Sequence, residues 1–89
     1  MPVCALCDRT VKKITRHHLV PKQKGGTDED VIFVCQPCHK TLHATFSNTE
    51  LVQTYNTLQQ LRAAEPLQRY LKWIRKRDIE HLRVRRRKH

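Results

Sequence analysis

Val31-Ile32-Phe33-Val34-Cys35-Gln36-Pro37-Cys38-His39-Lys40-Thr41-Leu42-His43 is the stretch on which the fold turns. Four consecutive β-formers predict a buried strand over 31–34. A Cys-x-x-Cys pair follows directly, at Cys35 and Cys38. After Cys38 the pattern becomes helical, because His39, Leu42, His43 and Phe46 fall at i, i+3, i+4 and i+7. Strand, thiol pair and helix therefore meet within a few residues.

Working outward, the second Cys-x-x-Cys pair lies far upstream, at Cys4 and Cys7. Two residues between thiols let both sulfurs reach one tetrahedral ion, at about 2.3 Å each. A disulfide framework is disfavoured by the doubled spacing and by a cytosolic setting. A thioredoxin-like site needs only one pair, beside a βαβ pattern that is not found. The expectation is a structural zinc on Cys4, Cys7, Cys35 and Cys38. Such an ion supplies folding energy that the small core lacks.

The two pairs enclose residues 8–34, longer than a plain zinc ribbon needs. Residues 11–20 read as extended, with Ile14, Thr15 and Val20 favouring strand and Pro21 ending it. Residues 22–30 form a polar connection with Gly25-Gly26 at its tip. A hairpin tied at its base by the cysteines is expected. His17 and His18 sit on its first strand, so their rings point to opposite faces. His39 and His43 share one helix face, at a spacing that suits one metal. Four histidines so placed predict a second metal site with a catalytic role.

Beyond the core, Ser47 and Glu50 form a capping box, with Phe46 and Leu51 as its hydrophobic staple. The stripe Leu51, Tyr55, Leu58, Leu61 predicts one helix. Pro66 opens another, with the stripe Leu67, Tyr70, Leu71, Ile74. Arg69, Lys72, Arg75 and Lys76 lie on its opposite face. These apolar stripes are core, not a cofactor box.

The chain has 89 residues, of which 38% are apolar. That suits one domain burying roughly 60–65% of its unfolded surface, a marginal core. No apolar run reaches about 18 residues, so a transmembrane helix is excluded and no membrane partner is expected. The start has neither a basic nor an apolar stretch, so no secretory leader is expected and the cytoplasm is the default.

Charge points to the partner. Eighteen Lys and Arg oppose eight Asp and Glu, giving +10. Residues 1–49 carry seven basic and four acidic side chains, and residues 50–89 carry eleven and four. The excess gathers at Arg83, Arg85, Arg86, Arg87 and Lys88. A pI near 10 on a small domain points to a polyanion, with nucleic acid ahead of an anionic membrane surface.

The run His17-His18-Leu19-Val20-Pro21, the Gly25-Gly26 tip and Asp30 through His39 resemble the HNH endonucleases. The resemblance covers roughly residues 4–47. It implies an α+β fold: a ββα-metal core braced by a four-cysteine zinc, here followed by two C-terminal helices and a basic tail. The divisions expected within one domain of residues 1–89 are a core at 4–47, a helical extension at 48–78 and a tail at 79–89.

By the same resemblance His17 and His39 bind the catalytic metal, His43 matches an extra ligand of some members, and His18 is the general base. Asp30 stands where the family usually has Asn, which holds the loop and orients the base. An aspartate there can accept a hydrogen bond or approach the metal.

The implied activity is metal-dependent hydrolysis of DNA phosphodiester bonds, nicking one strand per site, by a monomer or weak dimer. An imidazole titrates near neutrality and can take a proton from water. A divalent ion can polarise the phosphate and stabilise the leaving oxygen. Imidazole ligands suit zinc, nickel, cobalt or manganese, and magnesium fits if water and phosphate fill open positions. Lys22 and Lys24, with the basic residues of the last helix and tail, are the expected phosphate contacts. The alternative is a non-catalytic zinc-ribbon nucleic-acid binder. Nothing favours RNA over DNA, and no paired aromatics on a sheet are found.

Overall fold

A computed structural model of the protein describes residues 1–20, 25 and 31–80. The element order is β1 (Thr15–His18), β2 (Val31–Val34), α1 (Gln36–Thr45), α2 (Asn48–Gln53), α3 (Leu58–Ala63) and α4 (Glu65–Ile74). The strands pair antiparallel, with His17 opposite Ile32 and Thr15 opposite Val34. The fold is therefore α+β, with the expected ββα arrangement of hairpin and helix. Gly25 in the connection has φ +89, a turn conformation that glycine adopts without a steric penalty.

The paired part of the first strand is shorter than the extended stretch expected over 11–20. The amides of Lys12 and Lys13 both donate to the Glu80 carboxylate, and Val11 N–H donates to Pro2 C=O. Those donors are taken up elsewhere, so the ladder starts only at Thr15. Nor is β2 buried on both faces. Ile32 and Val34 enter the core, while Phe33 points outward and is 52% exposed. The four-residue apolar run is a one-sided strand, which periodicity alone does not distinguish from a two-sided one.

The first helix begins earlier than expected. Cys35 is its N-cap and Pro37 lies in its first turn, so Cys38 is already helical. Proline is tolerated there because its missing N–H has no intrahelical partner to lose. The Ser47–Glu50 capping box forms in both directions, and Phe46 and Leu51 are buried beside it.

The extension holds three helices where two were expected. The stripe from Leu51 to Leu61 is broken after Gln53. Thr57 caps a new helix by accepting from Gln60 N–H at 3.1 Å, and Asn56 Nδ2 donates back to Val52 C=O at 2.9 Å. Short polar side chains that bond to nearby backbone compete with helix continuation, and Thr54, Asn56 and Thr57 lie together here. Tyr55 leaves the stripe to stack on Phe46, with centroids 4.2 Å apart.

In α4, Leu67, Leu71 and Ile74 are buried and Arg69 and Lys72 are exposed. The core is one cluster. It runs from the four cysteines through Leu6, Val11 and Leu42 to Leu51, Leu61, Leu67, Leu71 and Ile74. Thiols and leucines therefore share one interior, and the extension packs on the cysteine end of the core. Among the described residues, no helix is long and apolar enough to cross a membrane.

Candidate metal centres

Cys4 and Cys7 lie on a tight knuckle. Asp8 N–H donates to Cys4 C=O and Cys4 N–H to Arg9 C=O, both at 2.9 Å. Asp8 adopts φ 65, a left-handed turn that Asp tolerates better than most residues. Cys7 N–H points at Cys4 Sγ, at 3.4 Å. Cys35 and Cys38 come from the start of α1, where free amides and the helix dipole favour negative sulfur.

All four thiols are free and buried, and their sulfurs lie within 4.8 Å of one another. Cys7 Sγ and Cys35 Sγ are 3.9 Å apart. Zinc–sulfur bonds of about 2.3 Å in a tetrahedron give edges of about 3.8 Å, so the cage fits zinc.

The protons say the same. Hydrogen bonds from Cys35 and Cys38 draw Cys4 down to about 6 and Cys7 lower still. Cys38 is pushed up by its hydrogen bonds with Cys35, Cys4 and Cys7 and by burial; at Cys35 the bond with Cys38 works downward, but Cys4, Cys7 and burial outweigh it and push it up. Four such close sulfurs cannot all ionise without a cation among them.

Two side chains outside the cysteine pattern grip this cage. Arg9 Nε and Nη2 donate to Cys7 Sγ and Cys35 Sγ, each at 3.4 Å. Its Nη1 donates to the carbonyls of Arg77 and Ile79 at 3.0 and 2.8 Å. Burial works against the Arg9 charge, but the bonds to Cys7 and Cys35 outweigh it and raise its pKa. Tyr70 O–H donates to Cys38 Sγ at 3.2 Å, and burial followed by the nearby Cys38 charge raises its pKa. Sequence reading put Tyr70 in the core stripe and gave Arg9 no role. Cys38 lies 32 positions from Tyr70, and of the partners of Arg9 only Cys7 is near in the chain, while Cys35, Arg77 and Ile79 are remote.

The histidines form the second cluster. His17, His39 and His43 each offer a nitrogen within 4.8 Å of the others. Their ring centroids are 5.5 Å (His17–His39), 5.2 Å (His17–His43) and 5.0 Å (His39–His43) apart. His17 sits on the inner face of β1, opposite Ile32, and is fully buried. Both of its ring nitrogens lack any hydrogen-bond partner.

An unpartnered buried polar atom costs about 1–3 kcal/mol, so two on one ring call for a ligand. Burial, then the nearby His43 and His39, lowers the His17 pKa to about 3 and leaves a neutral, metal-competent ring. Burial also lowers His39. His39 is half-buried and His43 exposed, so the cluster is closed below and open above. That is the form of a site with positions left for water and substrate.

Thr15 completes this cluster, and sequence reading saw it only as a strand former. Its hydroxyl lies 2.8 Å from His39 Nδ1 and donates to Val34 C=O at 2.8 Å. His18 is half-buried at the end of β1, opposite Val31, and close enough to His17 and His39 for its charge to lower the pKa of both. Arg69, Lys72, Arg75 and Lys76 are all exposed. Beside them Trp73 is 38% exposed, with the Arg77 guanidinium 5.3 Å from its ring centroid. Lys22, Lys24, Asp30, Arg83, Arg85, Arg86, Arg87 and Lys88 lie outside the described residues.

Residues 4–45 match the family pattern described as HNH endonuclease. A Bacillus subtilis (strain 168) protein, named "Uncharacterized protein YisB", is 44% identical over 80 residues. The alignment spans 90% of this chain and 80% of that relative. No solved structure matches the chain. The matched stretch begins at the first cysteine of the cage and ends just past the last histidine of the cluster, and the likeness to the relative continues through most of the chain: the protein belongs to the HNH endonuclease family.

Proposed function

We propose that this protein is a metal-dependent endonuclease that hydrolyses DNA phosphodiester bonds and nicks one strand per active site. The observation that carries the reading is His17, buried with both ring nitrogens unpartnered and facing His39 and His43. A ring so placed has no packing rationale and suits a metal ligand.

In this reading His17, His39 and His43 hold one divalent ion, with Mg, Mn, Ni, Co and Zn as candidates. When bound, it would supply polarisation of the scissile phosphate and neutralisation of the leaving oxygen. His18, one residue along β1, takes the proton from the attacking water. Asp30, at the end of the connection between the strands, acts beside that base, as a hydrogen-bond acceptor or by approaching the metal. Cys4, Cys7, Cys35 and Cys38 hold a structural zinc that does no chemistry. The cluster of reduced thiols suits the cytoplasm, where thiols stay reduced.

Residues 1–89 act as one nuclease unit: the core at 4–47 cuts, the extension at 48–78 braces it, and the tail at 79–89 adds charge. DNA is held chiefly through phosphates, by Lys22, Lys24, Arg69, Lys72, Arg75, Lys76 and the tail residues Arg83, Arg85, Arg86, Arg87 and Lys88. The protein works as a monomer or weak dimer.

The test is nicking of supercoiled plasmid, with EDTA and with metal added back. His18→Ala should lose about 10²–10⁴-fold in rate while still binding DNA. His39→Ala should lose both activity and the second metal. Undiminished cutting by His18→Ala would refute the base assignment. Binding without cutting under any metal would instead favour the non-catalytic zinc-ribbon module.

A further inference from the structure

We infer that Thr15 is a positioning residue for the histidine metal site: it holds His39 as the Nδ1–H tautomer and so turns the Nε2 lone pair toward His17 and His43. The inference rests on the metal-site reading above, and the geometry that carries it is local. The Thr15 oxygen has two close partners, Val34 C=O and His39 Nδ1, each at 2.8 Å.

A hydroxyl has one proton to give. A carbonyl oxygen only accepts, and two oxygens at 2.8 Å without a proton between them repel. The Thr15 proton therefore goes to Val34, and the Thr15 lone pairs face His39. Nδ1 must then carry hydrogen and donate. In a neutral ring this leaves Nε2 unprotonated, free to bind a metal.

The backbone supports the arrangement. Thr15 lies opposite Val34 in the ladder, on the same face of β1 as His17. Its β-branched side chain has few rotamers on a strand. Val34 directly precedes Cys35, the N-cap of α1, and His39 N–H donates to Cys35 C=O at 3.0 Å. One hydroxyl thus ties both strands to the helix turn that carries a ligand. A hydrogen bond to the far nitrogen of a metal-binding imidazole fixes the ring's orientation and raises its basicity. Losing such a partner typically costs about 10–100-fold in metal affinity.

The experiment uses full-length protein with zinc in the cysteine site, compared with Thr15→Val and Thr15→Ser. Valine keeps the branched shape and removes the hydroxyl, and serine keeps the hydroxyl. Long-range ¹H–¹⁵N correlation spectra of the imidazoles, with no second metal added, report the tautomer. Nickel(II) calorimetry reports the affinity.

The expected results are an Nδ1–H His39 in the wild type and in Thr15→Ser. Thr15→Val should lose that tautomer preference and bind nickel about 10-fold or more weakly, with zinc content and circular dichroism unchanged. An Nε2–H His39 in the wild type, or wild-type nickel affinity in Thr15→Val, would overturn the inference. A wild type with the Nδ1–H tautomer and no nickel binding would refute the metal-site reading, while the tautomer assignment would stand.

Discussion

Arg9 Nη1 donates to the carbonyl oxygen of Ile79 at 2.8 Å, across 70 positions of chain. The same guanidinium reaches the sulfurs of Cys7 and Cys35. One side chain therefore donates to two sulfurs of the cysteine cage and fastens the segment after α4 to the Cys4–Cys7 knuckle. Tyr70 does related work from the other side, through Cys38.

Arg9→Gln should loosen both ends of this link. Zinc release to a colorimetric chelator should speed up several-fold, and backbone amides at 77–80 should exchange faster. Arg9→Lys keeps a charge but not the planar fork, so it should restore zinc retention more than protection of the amides at 77–80. Unchanged release and exchange in Arg9→Gln would show that the link is not energetically coupled.

Cys35→Ser should abolish tight zinc binding and the native fold together, because metal binding by such a site is folding free energy. Metal analysis should give about one zinc per wild-type chain, and circular dichroism should show the variant unfolded. A reduced wild-type preparation that is folded without zinc would contradict this.

His17→Phe should separate stability from function. The ring is buried with two unpartnered nitrogens, and an apolar ring of similar shape removes that cost. In zinc-loaded protein without a second metal, stability should rise by on the order of 1 kcal/mol. Binding of the second metal should vanish. A large loss of stability instead would mean that the nitrogens are satisfied in the folded chain.

Asp8 and Arg62 pair at 2.8 Å on the surface, and Arg62 Nη1 also donates to Ala5 C=O. Arg62 and Asp8 side chains are 40% and 53% exposed, so Arg62→Ala should cost under about 1 kcal/mol at neutral pH, and less in high salt. The Arg62 hydrogen bond lowers the Asp8 pKa on folding. The unfolded carboxylate then binds protons more readily, and the pair's contribution is complete above about pH 4. It fades as pH falls from there through the lower folded value. Denaturation from pH 6 to 8 should therefore give a constant difference between wild type and Arg62→Ala. A difference that changes across that range would refute the assignment.

Removing residues 81–89 should weaken DNA binding about equally for all sequences and flatten its salt dependence, since fewer counterions are released. Arg69→Ala with Lys72→Ala on α4 should do the same. Titrations at several salt concentrations decide it, and identical slopes would exclude these residues from the DNA-binding surface.

Much of the fold and of the candidate site was legible in order along the chain. Paired Cys-x-x-Cys spacing, the i, i+4 histidines, the Ser47–Glu50 box and Pro66 are short-range signals, and each works through a few neighbouring bonds. They sufficed for the thiol cage, the hairpin and the starts of α2 and α4.

What tertiary structure alone decided lies in pairs distant in sequence. Thr15 acquires its role only when β2 and α1 bring Val34 and His39 beside it, 19 and 24 positions away, and Arg9 when Cys35 and the segment after α4 arrive, 26 and 70 positions away. The full burial of His17 likewise depends on α1 packing over the hairpin. The break after Gln53 was written in Thr54, Asn56 and Thr57, but an apolar stripe running through it masked the signal. A periodic pattern reports which side chains seek the core. It does not report whether one helix or two deliver them, because that depends on how the capped ends and Phe46 against Tyr55 balance one continuous run of backbone bonds.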